Sequence, residues 1–204
     1  MKKEKDKTTE SQILEAAKQI FQTKGMDGSR MQEIADKAGI NKAMLHYYFR
    51  NKQLLFEAVF NQAFTMIAPQ LNAIMNDESS IEEKIKNFTF NYTSFMLQHP
   101  YLPNFIIQEL NRNEVFLDKL KAKTDFPNLK KFKLKVQEEI AQGLIQPIDA
   151  DQLFVNILSL NIFPFLGKPL IKAFTNNDDQ AHIALVESRK TEVADFIINS
   201  IKRN

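Results

Sequence analysis

The 204-residue chain contains no cysteine, no tryptophan and only 5 glycines. Without cysteine it has neither a disulfide framework nor a thiolate metal site, which fits a reducing compartment. Its most apolar segment, Leu153–Leu166, is shorter than the roughly 18 residues that a membrane-spanning helix needs. The first residues, MKKEKDKTTESQ, are charged and lack the apolar stretch of a signal peptide. We therefore expect a cytoplasmic protein with no membrane partner.

Motifs for catalysis are also missing. The sequence has no H-E-x-x-H pattern, no phosphate-binding glycine loop and no cysteine nucleophile. Its three histidines, His46, His99 and His182, are too far apart in sequence to indicate a metal site by spacing. We expect no enzyme activity, no cofactor and no metal.

Positive charge is concentrated at the N-terminal end. Residues 1–52 contain 11 lysines and arginines against 7 acidic residues, a net charge of +4. Residues 53–204 contain 16 against 18, a net charge of −2. A modest positive excess in the first quarter of the chain favours contact with a polyanion there.

The segment 28–60 reads as two short helices joined by a tight turn, followed by the start of a long helix. Ser29 and Gln32 form an S-x-x-Q pattern, which predicts a capping box and a helix beginning at Arg30. Gly39 suits the left-handed conformation that ends a helix. This is the order of elements in a helix-turn-helix.

The second short helix is the candidate recognition helix. Asn41 is a good N-cap for a helix over Lys42–Tyr48. Four side chains of this segment are predicted to point outward, and their types suit phosphates and base edges: Lys42, Ala43, His46 and Tyr47. An ordinary αα-hairpin with a polar outer face would show a similar turn, so the turn alone leaves both interpretations open.

A small three-helix core is predicted around this motif. The first helix runs from Thr9 to Lys24 with an apolar stripe, Gly25 ends it, and residues 1–8 are expected to form a disordered basic arm. The predicted centre of the core consists of Phe21, Ile34, Ile40, Leu45 and Phe49.

The remainder also reads as helical, which gives an all-α fold of about nine helices. We predict a DNA-binding domain over residues 1–51 and a helical ligand-binding and dimerisation domain over 52–204. A long helix from Lys52 to about Met75 would open the second domain, and Pro69 within it should kink or break it.

The segment GSRMQEIADKAGINKAMLHYYFRNKQLLFEAV resembles the N-terminal domain of TetR/AcrR-family transcriptional regulators. The family often has Ser where Asn41 stands, Gly or another small residue at Ala43, and Tyr at His46, and these differences bear on the DNA sequence that is read. The elements that carry the resemblance are Ile34-Ala35, Ala38-Gly39-Ile40, Leu45, Tyr47-Tyr48-Phe49, Lys52 and Leu54-Leu55.

The resemblance implies a homodimer that binds a palindromic operator in double-stranded DNA. The residues we expect to contact DNA are Arg30, Gln32, Asn41, Lys42, Ala43, His46, Tyr47 and Lys52.

Two apolar helices near the C-terminus support dimerisation. The segment Leu153–Leu166 has 10 apolar residues in 14 positions, more than one buried helix face needs. A predicted final helix from about Ser188 to Lys202 is also rich in apolar residues, and two such helices from each chain could form a four-helix interface. The alternative is that both helices lie in the centre of a monomeric core. The predicted interface residues are Phe154, Ile157, Leu158, Phe165, Val193, Phe196, Ile197 and Ile201.

The middle of the chain is rich in phenylalanine and methionine. In a protein of this family such residues would line a cavity for a small apolar or aromatic molecule, with a few polar groups to orient it. Plain core packing is the alternative for any single phenylalanine. The predicted ligand residues are Tyr92, Phe95, Phe105, Gln108, Asn156 and Phe163.

These features predict a ligand-responsive transcriptional regulator, a repressor released from its operator by a small molecule whose identity the sequence does not give. One alternative is a DNA-binding regulator controlled by a protein partner. Another is a helical small-molecule carrier that has kept a vestigial helix-turn-helix.

Overall fold

The structure is a computed structural model, and its described residues form ten helices. The described backbone comprises residues 2–76, 78–112, 118, 121, 129–176 and 178–203, with side chains described for these except 2–7 and 73–76. In chain order the helices are α1 (Lys2–Gly28), α2 (Met31–Lys37), α3 (Lys42–Tyr48), α4 (Lys52–Asn76), α5 (Ile81–Gln98), α6 (Leu102–Arg112), α7 (Lys130–Ala141), α8 (Ala150–Leu166), α9 (Lys168–Thr175) and α10 (Asp179–Ile201).

The all-α prediction is confirmed. Within the described ranges the only extended pairing is one isolated bridge between Ile145 and Lys202. The chain divides into two compact units, Met1–Thr65 and Met66–Asn204, so the division falls inside α4. Pro69 lies within α4 without ending it, although the sequence predicted a kink or break there.

The N-terminal unit has the predicted three-helix core, to which α4 adds further apolar side chains. Leu45 and Ile34 are fully buried and Phe21 is nearly so, whereas the predicted core residue Ile40 is only half-buried. The Phe21 ring packs edge-on against Phe56 of α4, with ring centroids 4.9 Å apart. Because Leu45 belongs to this core, the core determines which face of α3 is buried within the N-terminal unit.

The first helix is longer than predicted. The backbone is helical from Lys2 onward, where the sequence suggested a disordered arm over residues 1–8. Lysine and glutamate are good helix formers, so a charged stretch without apolar residues does not by itself end a helix. Gly25, with φ 66° and ψ 178°, interrupts the helix at the predicted position, and a last helical turn reaches Gly28.

In the C-terminal unit, α5 packs against α7, α8 and α10. A capping box opens this helix: Ser80 Oγ accepts from the Glu83 N–H, and Glu83 accepts from the Ser80 N–H. Asp149 caps α8, accepting a hydrogen bond of 2.9 Å from the Gln152 N–H. Proline favours the first positions of a helix, which suggests a helix from Pro127; α7 begins at Lys130 among the described residues, and Pro127 lies outside them.

Two features near the C-terminus differ from the sequence prediction. A short helix, α9, occupies Lys168–Thr175, where we predicted no element. The last helix begins at Asp179 rather than near Ser188. Asp178 explains the earlier start, because its carboxylate accepts a hydrogen bond of 2.8 Å from the Ala181 N–H and so caps the helix.

A proline inside α8 is compensated by the next long helix. Pro164 has no N–H, so the carbonyl oxygen of Leu160, four residues earlier, lacks its usual partner in the helix. Arg189 of α10 supplies the missing donor, with Nη2 2.7 Å from the Leu160 oxygen. This hydrogen bond links α10 to α8 close to the proline.

In the described part of the chain, no single helix is long and apolar enough to cross a membrane. Only α8 and α9 taken together pass a test of length and hydropathy, and they are bent by 76° where they meet.

Candidate nucleic-acid interface

The second helix of the motif, α3, is held at both ends and along one face. Asn41 is its N-cap as predicted, with Oδ1 accepting a hydrogen bond of 2.8 Å from the Met44 N–H. Leu45 is fully buried, and Phe49 just beyond the helix is also buried. The face opposite Leu45 is therefore free to meet a partner.

The four side chains predicted to point outward from α3 are all exposed: Lys42, Ala43, His46 and Tyr47. Tyr47 is 81% exposed, and its ring meets Tyr48 edge-on with centroids 5.4 Å apart. His46 Nδ1 lies 3.1 Å from the carbonyl oxygen of Arg50. One helical face thus presents a cation, a methyl group, an imidazole and a phenol.

Arg30 and Gln32 are also exposed. The predicted capping box between Ser29 and Gln32 is absent, so that prediction was wrong. Ser29 is buried, and its hydroxyl donates to the Met26 carbonyl at 2.6 Å instead of capping α2. Arg30 takes the N-cap position without a side-chain bond, and Gln32 Nε2 donates to Asp36 Oδ1 at 2.7 Å. Because Ser29 is buried in the turn before α2, its hydroxyl bonds within that turn and does not cap the helix.

Lys52 is half-buried and has a structural bond. Its Nζ donates to the carbonyl oxygen of Ser29 at 3.1 Å and lies 3.5 Å from that of Asp27. An ammonium group has three donors, so one contact of this kind leaves others for a phosphate. Lys52 therefore ties the start of α4 to the turn before α2 as well as adding positive charge.

Met44 is a surface residue of α3 that the sequence analysis did not select. Its side chain is 40% exposed. Helical geometry could have found it, because a rotation of about 100° per residue places position 44 beside Ala43 and Tyr47. Arg50, also exposed, lies just after the helix and was missed as well.

The predicted dimer residues divide into two groups. Phe196 is 67% exposed, and Phe154, Leu158 and Phe165 are partly exposed. The other four are buried within the protomer, so the prediction that they contact a second copy is wrong. They face inward because α8 and α10 each pack one apolar stripe against α5: Ile157, Val193, Ile197 and Ile201.

Exposed apolar side chains elsewhere on these helices could take the place of the buried ones. They occur on α8, α9 and α10, and the sequence analysis missed them because it counted apolar residues without fixing the inward face: Val155, Phe163, Leu170, Phe174 and Ile183.

The predicted ligand residues are similarly divided. Tyr92 and Phe105 are buried, and Phe95 is half-buried with its ring 4.7 Å from that of His99. The remaining three are exposed, so they do not line an enclosed cavity within the protomer: Gln108, Asn156 and Phe163.

Buried polar groups of α5 and α8 were missed as a set. Asn161 is buried, and its Nδ2 donates to the Ile157 carbonyl at 2.8 Å and to Thr89 Oγ1 at 3.3 Å. Its Oδ1, like the hydroxyl of buried Tyr92, has no hydrogen-bond partner in the described part of the chain. Burial raises the pKa of the Tyr92 phenol, so the hydroxyl stays protonated at neutral pH.

Among the described residues, no group of three or more histidine, aspartate or glutamate side chains is arranged to hold a metal ion.

Comparison with known proteins agrees with this geometry. Residues 13–59 match the family described as "Bacterial regulatory proteins, tetR family". The chain is 24% identical over 161 residues to the Bacillus subtilis protein named "Probable HTH-type transcriptional regulator YttP", covering 78% of each chain. It is 38% identical over 65 residues to the HTH-type transcriptional regulator RutR of Escherichia coli, covering 32% of this chain and 31% of RutR.

A solved structure shows the same fold over nearly the whole chain. A TetR-family transcription regulator from Marinobacter aquaeolei has a TM-score of 0.65 and 16% identity, covering 99% of this chain and 100% of that one. Residues 13–59 therefore match the DNA-binding segment of the tetR family, and the likeness to solved structures extends the shared fold over the rest of the chain. The matched segment is the helix-turn-helix of a DNA-binding transcriptional regulator.

Proposed function

We propose that the protein is a homodimeric repressor that binds a palindromic operator in the cytoplasm and is released by a small apolar or aromatic molecule. The observation that carries the DNA-binding part is the outward face of α3. Lys42, His46 and Tyr47 stand exposed on a helix whose other face is fixed by buried Leu45. A recognition helix needs this combination of a rigid back and a free polar front.

Each exposed group has a chemical counterpart on DNA. Lys42 can donate to phosphate oxygens or to guanine, the Tyr47 hydroxyl can reach a phosphate or base edge, and the Ala43 methyl can meet a thymine methyl. Arg30, Gln32, Asn41 and Lys52 lie on the same or neighbouring segments and complete the proposed contact set: Arg30, Gln32, Asn41, Lys42, Ala43, His46, Tyr47 and Lys52.

Substitution on α3 tests this assignment. Lys42→Ala and Tyr47→Ala should each abolish specific binding to an operator selected from random DNA, with the circular dichroism spectrum and dimer mass unchanged. Leu134→Ala, at an exposed position of α7, is a matched control for truncating a surface side chain. Unchanged operator affinity in both α3 variants would remove these residues from the contact set.

The proposed dimer uses the outward faces of α8 and α10. Phe196 is exposed on α10 while its neighbour Ile197 is buried. The proposed interface therefore lies on the face of α10 that carries Phe196. Isolated exposed apolar residues are common on monomers. Several on adjacent helices, including Val155 and Phe163 of α8, are better explained by a second copy. A two-fold dimer would place two α3 helices on two half-sites of a palindrome.

The proposed effector site lies among the buried polar groups of α5 and α8. Tyr92 and Asn161 each bury an oxygen that lacks a partner in the described part of the chain, which costs free energy unless something bonds to it. A small molecule with a polar group among the surrounding phenylalanines would satisfy such atoms. Because α4 belongs to both compact units, a change around the effector can alter the population of DNA-binding conformations.

Control by a protein partner remains the second candidate for the regulatory step. The exposed apolar residues of α9, Leu170 and Phe174, would serve a protein partner as well as a second copy. Release of operator DNA by a partner, with no response in a small-molecule screen, would favour it.

A further inference from the structure

The outward surface of α3 has two chemically different flanks. With about 100° between successive residues, Ala43 and Tyr47 lie at its centre, opposite buried Leu45. Met44 lies on one side of this central line and His46 on the other. One flank is therefore apolar and the other is polar.

Met44 is held in place although its side chain is not needed to fill the core. Its N–H bonds to Asn41 Oδ1 at 2.8 Å, and the next residue, Leu45, is fully buried. The thioether is 40% exposed beside Tyr47, whose ring is oriented by its contact with Tyr48. The backbone of Met44 is fixed, while its side chain keeps the flexibility that lets methionine fit irregular surfaces.

His46 shows that the other flank is oriented for polar contact. Its Nδ1 lies 3.1 Å from the carbonyl oxygen of Arg50, and a carbonyl oxygen can only accept a hydrogen bond. Nδ1 therefore carries the proton and Nε2 is left for a partner. Lys42 lies on the same side of the helix, so charged and hydrogen-bonding groups are confined to this flank.

We propose that Met44 is a specificity-determining residue that contacts the C5-methyl group of a thymine in the major groove. The methyl group is the apolar feature that distinguishes thymine there, and an apolar side chain recognises it by contact. The inference rests on the proposed operator binding by α3. It adds that each half-site requires a thymine at the position facing Met44, while the positions facing Lys42 and His46 are read by polar contacts.

Removing single methyl groups from the DNA tests this proposal. The probe is the palindrome enriched from a random pool by the purified full-length protein. Each thymine of one half-site is replaced in turn by deoxyuridine, which lacks only the C5-methyl group, and affinity is measured by fluorescence anisotropy. One replacement should weaken binding about fourfold, because one methyl group contributes about 0.8 kcal/mol and 1.4 kcal/mol is a factor of ten.

The same duplexes are then tested with Met44→Ala. This variant should bind the unmodified palindrome about fourfold more weakly or worse, and the sensitive deoxyuridine should now have no further effect. Leu134→Ala should retain the full deoxyuridine effect, and circular dichroism verifies that Met44→Ala is folded.

Three outcomes would overturn the proposal. If every deoxyuridine effect persists undiminished in Met44→Ala, the methyl contacts belong to other residues such as Ala43. Insensitivity of the wild type to every deoxyuridine removes the methyl contact altogether. A pool without any enriched sequence contradicts operator binding itself, and the proposal for Met44 falls with it, so the two failures are distinguishable.

Discussion

Substitutions of Asn41 are expected to change the stability of α3 and the affinity for DNA independently of each other. Its side chain accepts a hydrogen bond of 2.8 Å from the Met44 N–H at the start of a helix only seven residues long. Replacing an N-cap asparagine by alanine costs about 1 kcal/mol. Opening of α3 should therefore become about fivefold more frequent in Asn41→Ala, since 1.4 kcal/mol is a factor of ten.

Hydrogen exchange of the Met44 amide measures this directly, because under native conditions its rate follows the population of the open helix. Asn41→Ala should exchange about fivefold faster. Asn41→Asp should exchange no faster than the wild type, because a carboxylate also caps and is favoured at a helix N-terminus.

The order of these variants in DNA affinity should differ from their order in amide exchange rate. The added negative charge of Asn41→Asp faces the phosphate backbone if α3 enters the groove, so this variant should bind more weakly than the wild type, most clearly at low salt. Asn41→Ser keeps an acceptor without the charge, so its Met44 amide should exchange at close to the wild-type rate. Equal exchange rates in Asn41→Ala and the wild type would refute the capping argument. Undiminished DNA affinity in Asn41→Asp would refute the placement of α3.

Three further predictions concern the C-terminal unit. Arg189→Met should lower the free energy of unfolding by about 1–3 kcal/mol, because the Leu160 carbonyl loses its donor. Adding Pro164→Ala should recover part of the loss by restoring a helical N–H, and urea denaturation without recovery would contradict this explanation. Phe196→Asp should shift the mass in analytical ultracentrifugation from dimer to monomer with helix content retained, and an unchanged dimer would exclude this face. Tyr92→Phe should be as stable as the wild type or up to about 1 kcal/mol more stable, since the hydroxyl has no partner in the described part of the chain. Above pH of about 10 the wild type should lose stability more steeply than Tyr92→Phe, because burial raises the pKa of Tyr92 in the folded state and the unfolded phenol ionises first. A marked loss of stability in Tyr92→Phe would show that the hydroxyl is bonded, and parallel pH profiles would show that the pKa of Tyr92 is not raised in the folded state.

Local signals in the sequence were sufficient to predict where α3 begins and which of its faces is buried. Asn41 is an N-cap whose side chain bonds three residues ahead, so the start of the helix follows from the order of residues. Its inward face also follows, because the apolar Leu45 lies opposite Ala43 and Tyr47 around the helix. Ser29 shows the limit of such signals. Its pattern with Gln32 suits a capping box, but burial of the turn directs its hydroxyl to the Met26 carbonyl.

The C-terminal unit was less predictable because its apolar residues exceed one helix face. Sequence shows that α8 and α10 are rich in apolar side chains, but not which of them the protomer itself buries. Packing on α5 decides that Ile197 faces inward and Phe196 outward. The pairing of Asn161 with Thr89, 72 residues apart, depends on the same long-range packing.

The most direct test of the account is selection of bound sequences from a random DNA pool at near-physiological salt, with the wild type and Tyr47→Ala side by side. We expect the wild type to enrich a palindrome with two half-sites, and Tyr47→Ala to enrich none although it is folded and dimeric. Enrichment of the same palindrome by both proteins would contradict the claim that the outward face of α3 reads the operator. Failure of the folded wild-type dimer to enrich any sequence, even after denaturation and refolding to remove a bound molecule, would contradict operator binding itself.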